Sequence, residues 1–270
     1  MKRREFLAAS AAATLGAMIA SPLIAADADA KRTLIELRIY HFASPEKQQA
    51  FENFMGKAGI PAFNRAGVEP VGVFKFLAKD NPTLKPTTET TDVWLVLPFK
   101  SADAMIALED RLAADADFQT AGKGILDDPQ KDPTYSRYES TLLYAFPDFP
   151  NVQVPAKSAD RIVQLRRYPS HNRERARMKQ QMFNAGGEIE IFKRCGMNGV
   201  FFGEALVGPK MPSLTYMLAF ENEDAEKKGW AAFRNDPAWK KLNADPTYKD
   251  TVIQPDILNQ FLRPAAGSQI

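Results

Sequence analysis

Thr33-Leu-Ile-Glu-Leu-Arg-Ile-Tyr-His-Phe42 alternates in side-chain character from Ile35 to Tyr40, and the chain uses the pattern twice. Ile35, Leu37 and Ile39 share one face, and Glu36, Arg38 and Tyr40 share the other. Alternation with a period of two belongs to a strand whose two faces meet different surroundings. Arg161-Ile-Val-Gln-Leu-Arg-Arg-Tyr168 repeats it, with Leu165, Arg166 and Tyr168 standing 128 residues after Leu37, Arg38 and Tyr40. Its apolar face is Val163 and Leu165, and its other face is Gln164, Arg166 and Tyr168. The apolar face is expected under helices. The charged, aromatic face is expected toward water, a partner sheet or a polar cavity.

Working outward, Ser44-Pro45-Glu46 predicts a helix start, with Ser44 as cap and Pro45 in the first turn. Phe51, Phe54, Met55 and Ala58 keep helical spacing to about Asn64, and Gly67 closes the helix. Val68–Leu77 reads as a strand, Lys79–Thr90 as an exposed connection, and Thr91–Phe99 as a strand buried on both faces. Ser101 caps a second helix carrying Met105, Ile106, Leu108 and Leu112, and a loop runs on to Pro133. Tyr138–Phe146 completes a β-α-β-β-α-β order.

Pro147–Ala159 holds three prolines and little that could pack, so 149–160 is expected to be a linker. The order then returns. Helices are expected over about Arg173–Arg194, closed by Gly196, and about Glu223–Arg234; strands are expected at Val200–Phe202, Leu214–Phe220 and Ile257–Arg263, before a flexible tail. Tyr216 takes the place of Trp94, and Asp236-Pro-Ala-Trp239 mirrors Asp115-Ala-Asp-Phe118 at an offset of 121 residues. Asp245-Pro-Thr-Tyr248 repeats Asp132-Pro-Thr-Tyr135 residue for residue. These pairings run in one order through both halves, so the chain is a duplication, with units at 31–148 and 161–265.

The fold class is α+β: two tandem ferredoxin-like units. In each, two helices cover one sheet face. Hiding the other faces against one another gives an α/β barrel, with Glu36, Arg38, Tyr40, Gln164, Arg166 and Tyr168 directed into the space between the sheets.

With these motifs in hand, the chain resembles the NIPSNAP family. The resemblance rests on Glu36-Leu37-Arg38-Ile39-Tyr40, the Phe51/Phe54 helix, the stretch from Trp94 to Asp115-Ala-Asp-Phe118, and its counterpart from Tyr216 to Trp239. It covers nearly all of 33–265 as two tandem copies and implies membership of the dimeric α/β-barrel class. It implies no particular reaction. The second copy departs with Gln164 for Glu36 and Pro169 for His41.

The first thirty residues are not fold. Lys2, Arg3 and Arg4 precede an alanine-rich apolar run from Phe6 to Ile24, followed by Ala26-Asp27-Ala28 and Ala28-Asp29-Ala30. This reads as a signal peptide over 1–30, and Arg3-Arg4-Glu5-Phe6-Leu7 reads as a bacterial twin-arginine signal. The mature protein is therefore expected in the periplasm or outside the cell, with no stable membrane insertion after cleavage.

Among 270 residues the net charge is +2, too small to argue for nucleic acid. One cysteine, Cys195, excludes an internal disulfide, and two histidines, His41 and His171, give no metal-ligand spacing, so neither metal nor cofactor is expected. His41 is expected on the helix side as a hydrogen-bonded strand-end residue. No nucleophile, phosphate-loop or dinucleotide motif is present. The candidate ligand-binding set is Arg38, Tyr40, Arg166, Tyr168 and Glu36, with no catalytic residue assigned. Either the arginines hold a small acidic molecule, or Arg38 pairs with Glu36 and the tyrosines fill the gap. Three functions follow: a protein that binds a small organic ligand or partner, a cofactor-poor oxygenase or isomerase acting in the barrel cavity, or a structural component. Assembly into a homo-oligomer stays open.

Overall fold

The computed structural model describes residues 32–84, 90–251 and 257–270. The signal stretch 1–30 and part of the Lys79–Thr90 connection lie outside the described residues.

Eight strands close into an antiparallel barrel: β1 (Leu34–His41), β2 (Gly72–Phe76), β3 (Val93–Phe99), β4 (Arg137–Ala145), β5 (Ile162–Pro169), β6 (Asn198–Val207), β7 (Ser213–Phe220) and β8 (Leu258–Pro264). Around the barrel they run β1-β3-β2-β8-β5-β7-β6-β4. The first unit contributes β4-β1-β3-β2, and the second contributes β8-β5-β7-β6. Each is a ferredoxin-like sheet. Pairing of β2 with β8 and of β4 with β6 joins the two sheets edge to edge, which leaves no free edge among them.

Nine helices among the described residues lie outside the barrel: α1 (Pro45–Phe54), α2 (Ile60–Arg65), α3 (Ala102–Ile106), α4 (Leu108–Ala114), α5 (Ala116–Ala121), α6 (Arg173–Phe183), α7 (Glu188–Arg194), α8 (Glu223–Asn235) and α9 (Pro237–Ala244). A π-helical turn, Met55–Gly59, joins α1 to α2. The expected caps are present: Ser44 accepts from the Lys47 N–H, and Ser101 from the Ala104 N–H. Gly67 and Gly196 take the left-handed conformation that ends a helix, at φ 86° and 75°. In both, the next residue reaches back five positions, Val68 to the Phe63 carbonyl and Met197 to the Phe192 carbonyl, each at 2.9 Å. The single helix expected over Arg173–Arg194 is two, because the chain turns at Asn184–Gly187, with Gly187 at φ 79°. The loop expected before Pro133 contains α5, which Asp115 caps.

One expectation is reversed. The face that enters the barrel is the apolar one. Ile35, Leu37 and Ile39 pack with Val163, Leu165, Phe201, Met217 and Leu262 from the other unit in one buried cluster. Tyr40 packs instead with Phe51, Phe54, Phe63 and Leu112 of its own unit's helices. Glu36, Arg38, Tyr40, Gln164, Arg166 and Tyr168 therefore lie between sheet and helices, not between sheets. The physical reason is that both sheets carry an apolar inner face, and closing one on the other removes both from water at once. Alternation reports which residues share a face, not which cover that face receives. Over most of its length the interior is a packed apolar core.

The same register separates two residues expected to be equivalent. Ile39 pairs with Trp94, and its counterpart Arg167 pairs with Thr215. Trp94 thus corresponds to Thr215 and lies in the barrel cluster, while Tyr216 corresponds to Leu95 and lies under the helices. A one-residue slip puts a side chain on the opposite face. The tail is also not loose: Ile270 is 1% exposed in the barrel cluster, and the Arg161 guanidinium donates to its carbonyl at 3.1 Å. Val152, Val154 and Ala156 of the 149–160 segment pack against that same cluster.

Candidate functional site

The alternation of β1 delivers Glu36, Arg38 and Tyr40 side by side to the space beneath α1 and α4. Arg38 Nε donates to Glu36 Oε1 at 2.7 Å, and Ser140 Oγ donates to the same oxygen at 2.8 Å. Arg38 Nη2 reaches Glu109 Oε1 on α4 at 3.1 Å, and Nη1 lies 3.5 Å from the Tyr40 hydroxyl. The Tyr138 ring stands 5.2 Å from the guanidinium carbon. Arg38 is thus paired with Glu36 in this structure. Burial opposes the Arg38 charge, but the bond to Glu36 and the neighbouring Tyr40 and Glu36 outweigh it and hold the guanidinium above its ordinary value. Burial likewise pushes the Tyr40 phenol up to about 12, with Arg38 pulling the other way. Tyr40 is a neutral hydrogen-bonding phenol at physiological pH.

Above this floor is a cavity of about 300 Å³. Tyr40, Phe51, Phe54, Phe118, Tyr135 and Tyr138 line it, with Glu109 beside Arg38 and half-exposed Leu126 at the edge. Tyr40 and Tyr135 meet edge to face at 5.0 Å and 90°, and Tyr40 lies 4.7 Å from Phe51. Tyr135 comes from the Asp-Pro-Thr-Tyr segment, which reads as a turn in sequence. Its exact repetition was the available signal. Glu109 and Tyr138 carried none.

The second copy is built differently at the same place. Arg166 Nε makes no hydrogen bond among the described residues, and its guanidinium carbon lies 4.9 Å from the Trp230 ring and 5.2 Å from the Tyr168 ring. At the offset of 121 residues Trp230 stands where Glu109 stands in the first copy, as Gln164 stands for Glu36. The two replacements bond each other, Trp230 Nε1 donating to Gln164 Oε1 at 2.8 Å. Both carboxylates around the first arginine are therefore absent around the second. The nearby acid is Glu188 at the start of α7, held by Lys179 Nζ at 3.3 Å, with both side chains buried. Burial pushes the Glu188 carboxyl up, with Lys179 and then Arg166 pulling it back. Tyr216 fills the rest, its hydroxyl 3.3 Å from that of Tyr168.

The remaining candidates are structural. His41 Nδ1 lies 2.8 Å from Asp92 and Nε2 3.5 Å from Glu139, at the rim of the barrel on the face of Ile39. Burial raises the Cys195 thiol, which keeps it protonated. Among the described residues, no three His, Cys, Asp or Glu side chains gather as a metal site, and no helix is long and apolar enough to cross a membrane.

Two solved structures share the whole architecture. One is a protein provisionally named a monooxygenase from Lactobacillus acidophilus NCFM, 11% identical with a TM-score of 0.52, covering 87% of this chain and 94% of that one. The other carries the same provisional name and comes from Fusobacterium nucleatum; it is 9% identical with a TM-score of 0.54, covering 87% and 93%. At these identities the likeness establishes the barrel alone. A NIPSNAP family protein of unknown function from Agrobacterium tumefaciens str. C58 is 22% identical over 43% of this chain and 98% of its own, with a TM-score of 0.35. No curated protein gives a significant match. The family model for NIPSNAP matches residues 163–269, from β5 past β8, so the match falls on the second unit.

Proposed function

We propose that the protein is exported and binds a small, uncharged aromatic molecule in the cavity of its first unit. The observation that carries this reading is the pairing of an aromatic-walled space of about 300 Å³ with an arginine already engaged by two carboxylates. A space of that size is at the lower end for small-ligand sites, which suits a single ring system. An acidic ligand would have to displace Glu109 from Arg38 and sit near Glu36. A neutral ring gains offset and edge-to-face contacts from Tyr135, Tyr138 and Phe51 without that cost. The Tyr40 hydroxyl supplies the polar contact that orients it.

Native mass spectrometry of the protein purified from its own envelope, followed by calorimetry with simple phenols and the matching benzoates, tests this. Phenols should bind more tightly than benzoates of equal size. Ala113→Trp, at an exposed position on the cavity wall, should abolish binding without lowering the melting temperature. Tighter binding of the benzoates, or binding indifferent to Ala113→Trp, would overturn the proposal.

A further inference from the structure

The barrel interior is apolar except near one end. There, five side chains from four strands carry buried polar atoms with no hydrogen-bond partner among the described residues: Arg167 (Nε and Nη2), Ser213, Thr215, Gln260 (Nε2) and Trp94 (Nε1). Their placement follows from register. Arg167 on β5 pairs with Thr215 on β7, and Pro169 with Ser213, so both hydroxyls flank Arg167 on its own face. On the other side Arg167 pairs with Leu258 on β8 and Leu165 with Gln260, which places the amide one diagonal step away, about 7–8 Å. Trp94 approaches from β3, which stands opposite β7 in the eight-stranded ring.

This end is rich in donors. A guanidinium, an indole N–H and an amide NH₂ can only donate, and the two hydroxyls can donate. Ser213, Thr215 and Gln260 are 3%, 0% and 5% exposed. Arg167 forms no ion pair among the described residues. Glu139, on β4 and 3.5 Å from His41, is the acid whose charge it feels, and burial still pulls the guanidinium below its ordinary value. Buried polar groups are satisfied in native proteins by protein, water or an ion. Here the unfilled capacity is one positive charge surrounded by donors.

We propose that this end of the barrel binds a small oxyanion, of the carboxylate or phosphate class, between Arg167, Ser213, Thr215 and Trp94. The site is separate from the cavity above Arg38, on the opposite face of the sheet.

Thermal melts of the mature protein in acetate, phosphate and chloride at constant ionic strength test the proposal. Acetate or phosphate should raise the melting temperature saturably, and which of the two does so identifies the class. Loss of a charged hydrogen bond weakens binding by more than ~10-fold, so Arg167→Met should erase the effect and Ser213→Ala should shift its midpoint. Trp94→Phe, if it folds, should lose any anion-dependent change in fluorescence. Should Arg167→Met fail to fold, the Ser213→Ala shift and the wild-type titration decide. A wild type indifferent to all three anions, a response to chloride alone, or an undiminished oxyanion response in Arg167→Met would overturn the assignment.

Discussion

Arg38 donates its Nε–H to Glu36 Oε1 at 2.7 Å with both side chains less than a tenth exposed, and on β5, opposite β1 in the ring, Arg166 has glutamine in place of that glutamate. The two arginines hold the same position in the repeat and differ in energetics. Arg38→Met leaves a buried carboxylate without its counter-charge, which costs about 3–5 kcal/mol. Arg166→Met strands no hydrogen-bonded acid, because Glu188 keeps Lys179, and loses cation–π and stem contacts worth about 1–2 kcal/mol. Urea unfolding of the two variants should separate them, and Glu36→Gln added to Arg38→Met should recover part of the first loss. Equal losses would show that Glu36 does not depend on Arg38.

Much of this was legible in the residues themselves. The Asp115 and Asp236 segments repeat because both are helix caps, and each also receives a forked arginine, Arg65 at 2.8 and 2.9 Å and Arg194 at 2.8 and 2.6 Å. Gly67 and Gly196 repeat because both must take positive φ. The orientation of β1 was not legible, since a strand with Leu37 on one face and Arg38 on the other fits either cover until the second sheet is placed. Nor was the correspondence of Trp94 with Thr215, because two nearby aromatics one register apart look alike in a sequence and fall on opposite faces. Glu109 gave no signal, being one of several charges on a half-exposed helix. Only its distance to Arg38 singles it out.

The paired caps give a pH dependence with a definite sign. The Arg194 guanidinium, and then the Trp239 N–H, hold the Asp236 carboxyl well below its ordinary 3.8. A depressed acid contributes stability that is present above its unfolded value and is lost as pH falls through its folded value. Asparagine keeps the cap but not the charge. The melting-temperature gap between wild type and Asp236→Asn should therefore be widest above about pH 5 and close progressively below the ordinary carboxylate value. Asp115→Asn, paired with Arg65, should follow the same course. A gap constant from pH 6 to pH 2 would assign the whole effect to cap geometry.

Export has a direct test in the twin-arginine stretch. Changing Arg3 and Arg4 together to Lys keeps the charge and the apolar run but removes the pair. Unprocessed precursor should then accumulate inside the cell, as judged by size in fractionated extracts. Normal accumulation of mature protein in the envelope would leave a general signal as the better account.

The second unit supplies a natural design for closing the first. Gln164 and Trp230 occupy the places of Glu36 and Glu109, bond each other at 2.8 Å, and set the indole 4.9 Å from the guanidinium they share. Transferring them as Glu36→Gln with Glu109→Trp gives Arg38 a stacked indole in place of two carboxylates. The exchange removes both carboxylates and leaves the Arg38 guanidinium on an indole face, the arrangement that already holds the buried Arg166 in the second unit. The added ring falls on the cavity above Tyr40. The double variant should melt within a few degrees of wild type, while Glu36→Gln alone should melt lower, because Arg38 then keeps only the exposed Glu109. Phenol binding in the double variant should be lost to calorimetry. Retained binding would put the ligand somewhere other than beside Arg38, and a collapse in stability would show that the two copies no longer share one geometry at this site.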